Sequence, residues 1–421
     1  MNRLFIVTSD YPYSYSSGDS NFVLPELKYL KSNFQICVIS TSDNTEVKAE
    51  ILNDVEYRHF QLHLIWLKKI KYFFAFFTKR ICRRELVDIL KSSNKNTIGK
   101  IYKSIEFFAC AEEFYRFLKQ NLDAELSEED SIFLNYWCNA YSLSLILHDG
   151  EYKNLKRVTR LHGCDLYEDR YTYGRQPFKR IINAGLDKLF FVSYNAREYY
   201  LKIHPELERS KTYVASLGVE KRSIKKLSGK EEREFLLVSC SNIIPLKRVG
   251  LIIDALALVE TSTPVNWVHF GDGSQQEEMI RLAEKKLGRN RKISFVFKGR
   301  VENEEVKKFY CEERPDCFIT TSSTEGSPVS VMEALACGIP VIGTAVGDIP
   351  FMINNNGILL SSNPEIKEIV TAIEKMIDGP LEEREEMRQE SIKIWEERYN
   401  REKNESDFMN ELCKVGKSEG R

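Results

Sequence analysis

Residues 317–342 read CFITTSSTEGSPVSVMEALACGIPVI. The run Cys317–Thr321 is short, apolar and rich in β-favouring residues, so it predicts a buried strand. A polar loop follows, then an apolar helical pattern that ends at Gly338, then a second strand over Pro340–Ile342. Ser327 is the expected N-cap and Pro328 the expected first helical residue. Gly338 is the expected C-terminal cap. Such a helix starts at the carboxyl end of a strand and points free amides, near Val329 and Ser330, at that edge. Those amides and the helix dipole attract phosphate. Ligands of open α/β sheets bind at this edge. Glu325 lies in the loop and Glu333 lies eight residues on, inside the helix. A carboxylate repels phosphate but accepts hydrogen bonds from sugar hydroxyls. Two ordinary solvated glutamates are the alternative that this stretch alone leaves open.

The same grammar recurs along most of the chain. Strands are expected at Leu4–Val7, Gln35–Ser40, Ser131–Asn135, Arg157–His162 and Lys188–Val192. Further strands are expected at Phe235–Cys240, Val265–Phe270 and Ser294–Phe297. Helical patterns such as Val249–Val259 and Gln275–Leu287 fall between them. Alternation of this kind implies parallel sheets with crossover helices, an α/β architecture. The stretch around 220–233 is polar and charged, without apolar periodicity, and reads as a linker. The expected organisation is a domain over 1–220, a linker over 221–233, a second domain over 234–390, and a C-terminal helix over 391–421 that packs back toward the first domain. Trp395, Tyr399 and Phe408 are spaced to form one apolar stripe on that helix.

Composition narrows the function. The 421 residues are 43% apolar, with 61 basic against 62 acidic side chains. This balance removes the basic excess of nucleic-acid binders and the low hydropathy of disordered chains. The ten cysteines include no CxxC pair and fit no common zinc pattern, and no strand-end DxD is evident, so no essential metal is expected. The first apolar run is too short for a signal peptide. Reduced thiols and a cytoplasmic location are the expectation.

Two further segments carry chemistry. Lys247 follows Phe235–Cys240 just ahead of a helix, where a cation completes an anion site. Gly271-Asp272-Gly273-Ser274 follows the next strand. The third glycine of a dinucleotide fingerprint would fall at Gln276, so a nicotinamide cofactor is not expected.

Together Lys247, Gly271-Asp272-Gly273, Gly299-Arg300-Val301, Glu325 through Glu333 and Ala336-Cys337-Gly338-Ile339-Pro340 resemble the donor-binding domain of family 4 retaining glycosyltransferases. The resemblance implies the GT-B fold: two Rossmann-like domains with parallel sheets facing across a cleft. It implies a nucleotide-sugar donor, UDP- or GDP-linked, and no other cofactor. Glu333 would bind the ribose and Glu325 the donor sugar. Lys247 would hold the diphosphate with Gly273, Ser327, Pro328 and the amides of Val329 and Ser330. The backbone at Val301 would meet the base. The family commonly has an arginine five residues before the lysine, where this chain has Asn242. Asparagine lacks the bidentate phosphate grip, so either Arg248 or another group substitutes, or the donor diphosphate is held more weakly.

In the first domain, Gly18 sits in the loop that faces the diphosphate in the family. His162, in Arg160-Leu161-His162-Gly163-Cys164-Asp165, matches the family's His-Gly-x-Asp segment and would lie beside the reacting sugar carbon. The stretch 62–84, LHLIWLKKIKYFFAFFTKRICRR, holds seven Lys or Arg, six aromatics and no acid. It suits either an anionic membrane surface or a packed helix with a basic outer side. The acceptor is expected to be a saccharide or lipid-linked saccharide in bacterial surface polysaccharide synthesis, with the protein cytoplasmic or peripheral on the inner face of the plasma membrane. A catalytically weak accessory subunit and a sugar-nucleotide epimerase are the competing readings.

Overall fold

The computed structural model describes residues 2–13, 18–92, 96–128, 130–224 and 234–417. The chain forms two compact units: Met1–Ala215 with Glu405–Arg421, and Ser216–Asn404. Residues 225–233 of the expected linker, and Ser17 beside Gly18, lie outside the described residues.

The first unit holds a seven-stranded sheet in the order β3-β2-β1-β4-β5-β6-β7. The strands are β1 (Asn2–Thr8), β2 (Phe34–Ser40), β3 (Val55–His59), β4 (Ile132–Asn135), β5 (Lys156–Leu161), β6 (Lys188–Phe191) and β7 (Thr212–Val214). Every pairing is parallel. Parallel strands need crossovers and are covered on both faces, which is why β1, β2 and β4 are mostly apolar and buried. Four helices matter below: α1 (Gly18–Leu30), α2 (Trp66–Thr78), α3 (Arg80–Lys91) and α4 (Thr97–Asn121).

The second unit holds a six-stranded parallel sheet, β10-β9-β8-β11-β12-β13. Its strands are β8 (Phe235–Cys240), β9 (Val265–Phe270), β10 (Ile293–Phe297), β11 (Cys317–Thr320), β12 (Val341–Thr344) and β13 (Gly357–Leu360). Strand order reverses between β8 and β11: the chain leaves β8 toward β9 and leaves β11 toward β12. That reversal opens a crevice at the strands' carboxyl ends.

Ten of the thirteen strands fall where the apolar runs place them. The three others, β3, β7 and β13, are edge strands. Edge position exposes one flank and part of the faces, so VEYRH and TYV carry too few apolar residues to stand out. The expected stripe of Trp395, Tyr399 and Phe408 is not one stripe. Trp395 and Tyr399 lie in a π-helical turn, with Trp395 Nε1 donating to the Val219 carbonyl at 3.0 Å in the second unit. Phe408 sits in the first unit's core, edge-on to Phe190. The extended residue Asn400 separates them.

Candidate functional site

The crevice between β8 and β11 is assembled by two loops tied together. Ser323 donates its amide to the Leu246 carbonyl at 2.8 Å. Buried Thr321 donates its hydroxyl to the carbonyl of Arg248 at 3.0 Å. Arg248, in the left-handed region at φ 49°, donates to the carbonyls of Thr321, Ser322 and Ser362 and to Asn363. Its guanidinium is thus occupied in bracing the loops, and it does not present the free fork expected of a substitute phosphate ligand. Asn242 is exposed on the same loop.

This bracing brings Lys247 to Glu325. Lys247 Nζ donates to Glu325 Oε1 at 2.6 Å, and the carboxylate side chain is only 10% exposed. Gly347 holds the Glu325 loop from below. Its φ is +54°, and a Cβ there would lie 2.4 Å from the Glu325 carbonyl oxygen. The Gly271 turn is equally closed to side chains: at φ +124° a Cβ would lie 2.0 Å from the Ser241 carbonyl oxygen. Gly273 similarly approaches the Ile243 carbonyl, and Gly271 pairs with Gly299 two residues before Val301.

The helix after the Glu325 loop runs Val329–Ala336. Its N-cap is Pro328, not Ser327, and the first helical residue is Val329. The Pro328 carbonyl accepts from Val331 and Met332 at 3.1 and 3.2 Å, which fixes the start one residue later than expected. Ser327 is therefore too early to cap, and its buried Oγ has no hydrogen-bond partner among the described residues. No side chain caps this terminus. Its first amides, Val329 and Ser330, precede any intrahelical acceptor. Gly338, at φ +64°, ends the helix as expected.

Glu333 is turned inward and is 5% exposed. It accepts from Asn303 Nδ2 at 2.9 Å. Burial pushes its carboxyl above the usual range, while Asn303, Lys307 and Arg401 pull the other way. A buried carboxylate with one strong neutral donor is suited to accept hydroxyl hydrogen bonds.

In the first unit, His162 follows β5 and starts the short turn Gly163–Leu166. Asp165 fixes its backbone by accepting from the His162 amide at 2.5 Å and from the Cys138 amide at 2.6 Å. The imidazole is buried against Trp137 and Tyr136, at centroid distances of 4.2 and 5.2 Å. Neither ring nitrogen has a hydrogen-bond partner among the described residues. Burial, and then the charge of Arg160, hold its pKa well below the ordinary histidine value, so the ring is neutral. Trp137 is in turn pinned by Asp19 of α1, whose carboxylate accepts from its indole at 2.6 Å. Gly18 is the first residue of α1.

Residues 220–394 match the family described as Glycosyl transferases group 1. Among curated proteins, N-acetyl-alpha-D-glucosaminyl L-malate synthase of Bacillus anthracis is 27% identical over 213 residues, 48% of this chain and 53% of that protein. The chain spans about half the length of such relatives. Two solved structures share the fold over nearly the whole chain. The lipopolysaccharide outer core galactosyltransferase WaaB superposes with a TM-score of 0.69 at 14% identity, covering 98% of this chain and 99% of that one. Anabaena HepE in complex with UDP superposes with a TM-score of 0.65 at 14% identity, covering 98% and 100%. The two parallel sheets fit the GT-B fold.

Within the matched stretch, Lys247, Glu325, Ser327, Pro328, Val329 and Ser330 come together at the switch point. Glu333 is one helical turn further in. Sequence reasoning missed Asn303 and Gly347. Asn303 is an unremarkable helix-start residue whose partner is 30 positions away, and Gly347 stood outside the quoted motifs. In the first unit it missed Trp137, which touches His162 only through the fold.

Proposed function

We propose that the chain is a retaining glycosyltransferase that moves a sugar from a nucleotide-sugar donor to a saccharide or lipid-linked saccharide acceptor. The observation that carries this reading is the Lys247–Glu325 pair, set beside an uncapped helix start at the β8/β11 switch point. The pair offers a cation to a diphosphate and a carboxylate to sugar hydroxyls. In the reaction, the bond from the sugar C1 to the β-phosphate oxygen breaks and a bond from C1 to the acceptor oxygen forms. Negative charge grows on the leaving diphosphate, where preorganised donors lower the barrier most. Lys247 and the amides of Val329 and Ser330 supply that charge stabilisation. Glu333 accepts from the ribose, and the backbone at Val301 meets the base, UDP or GDP being the nucleotide. The acceptor proton passes to the departing phosphate oxygen on the same face, which retains configuration. His162, in the first unit, is held neutral by its buried setting.

Cell-surface polysaccharide assembly on the cytoplasmic side is the proposed setting, in keeping with WaaB, named for the lipopolysaccharide outer core. The test is product analysis. A purified chain given labelled nucleotide sugars and saccharide acceptors should yield a glycoside with the donor's anomeric configuration, at a rate unaffected by EDTA. Inverted product would overturn retention, and an EDTA-sensitive rate would overturn metal independence.

A second reading is an accessory subunit with weak donor binding. Exposed Asn242 and the fully engaged Arg248 favour it. It predicts no turnover and no thermal stabilisation by UDP, GDP, ADP or CDP.

A further inference from the structure

Helix α2 is inside out. In an ordinary surface helix the apolar side faces the core and the charged side faces water. Here Tyr72 and Phe76 alone are buried, in a cluster with Phe108 and Phe178. At about 100° per residue, the side opposite them carries Trp66, Leu67, Ile70, Phe73, Phe74 and Phe77. Trp66, Leu67 and Phe74 are 72%, 67% and 66% exposed. These residues span about a third of the helix circumference without a charge. Lys69 and Lys71 border the strip, one on each side, and both are exposed.

Helix α3 continues the surface with opposite chemistry. Cys82, Glu85 and Ile89 face inward. Its two acids are neutralised by the body of the unit, Glu85 by Arg175 at 2.9 Å and Asp88 by Arg180 at 3.4 Å. The outward side carries Arg80, Arg83, Arg84 and Lys91, with exposed Val87 and Leu90 between them. None of these four cations makes an ion pair among the described residues. Both helices pack on α4, so both outward sides face away from it.

Free cations beside a wide, exposed aromatic ridge need a partner that is apolar within and anionic at its surface. A bilayer leaflet has that layering, with hydrocarbon to receive Trp66 and Phe74 and headgroups to meet the arginines. The 13-residue α2 is far too short to cross a membrane, and no described helix is long and apolar enough to do so. We propose that α2 and α3 form an interfacial surface that seats the protein on an anionic membrane, with α2 lying in the leaflet plane. This inference is independent of the donor-site reading.

The test is sedimentation of the full chain with vesicles of phosphatidylcholine alone, or with 30% phosphatidylglycerol (a composition chosen on the order of natural anionic content). Binding to the anionic vesicles that fades with added salt is expected. Arg80→Glu with Arg83→Glu and Arg84→Glu should abolish it, since each cation near an anionic surface contributes roughly a fivefold factor in partition. Leu67→Ser with Phe74→Ser should weaken it at least about tenfold, and as solvent-exposed changes these should leave the circular dichroism and melting curve unaltered. Absence of vesicle binding would overturn the proposal, and so would binding that survives both variants. A concentration-dependent dimer broken by Leu67→Ser with Phe74→Ser, without vesicle binding, would overturn it and assign the face to a second copy.

Discussion

Arg160 is 1% exposed in the first unit. It makes an ion pair with Glu26 of α1, donates to the Ala215 carbonyl at 2.9 Å, and lies 4.7 Å above the Phe408 ring. Burial, the largest single influence, lowers the guanidinium pKa, but Glu26, Tyr136 and Glu405 together outweigh it and the net direction is upward. One side chain thus joins β5, α1, the end of β7 and the C-terminal helix, two residues from His162. Arg160→Leu leaves Glu26 in the interior without its cation. Breaking a buried pair from one side costs about 3–5 kcal/mol. At 1.4 kcal/mol per tenfold, core openings should become roughly a hundredfold to a few thousandfold more frequent. Native-state hydrogen exchange at the amides of β1, β4 and β5 reads this directly. Replacing both partners, with Glu26→Leu added, should recover most of the loss, because no uncompensated charge remains. Exchange that quickens by less than about tenfold in Arg160→Leu would refute the claim that this pair organises the unit.

Burial raises the Asp165 carboxyl to about 6, against an ordinary value of 3.8. The folded state therefore holds a proton that the unfolded state releases, so this group's stabilising contribution is full below about pH 4 and is lost as pH rises through 6. The difference in denaturation free energy between wild type and Asp165→Asn should change by up to about 3 kcal/mol across that window; a flat difference contradicts the assignment. The His162 imidazole should show no titration by NMR between about pH 5 and 8, and a midpoint at the ordinary histidine value would contradict its neutral, buried setting. Gly347→Ala should push the Glu325 loop aside, weakening nucleotide-sugar binding about tenfold while the far-UV spectrum persists; unchanged affinity would show that the loop position does not matter.

Much of the second unit was legible because central parallel strands and strand-end glycines leave strong local marks. Phe235–Cys240 and Val265–Phe270 coincide with their strands residue for residue. The helix start was misplaced by one residue because Ser-Pro satisfies two capping patterns, and only the carbonyl geometry of Pro328 separates them. The role of Arg248 was not legible either. Its partners at 321–322 and 362–363 meet it only once β8 and β11 pair. The first unit was harder to read for the same reason. His162 could be picked from its motif, but the Asp19–Trp137–His162 chain joins residues up to 143 positions apart, from 19 to 162. The basic, aromatic stretch 62–84 was visible in sequence. Which side of it faces water was not, since that depends on α4 covering Tyr72 and Phe76.

The central claim is that Lys247, Glu333 and the start of the Val329–Ala336 helix hold a nucleoside diphosphate. Calorimetric titration of UDP, GDP, ADP and CDP into the wild type, Lys247→Met and Glu333→Gln chains tests it most directly. One nucleotide should bind the wild type, and removing the Lys247 charge should weaken it by about ten- to a hundredfold, with a smaller loss for Glu333→Gln. Affinity that is equal in all three chains, or no binding of any nucleotide to the wild type, would contradict it.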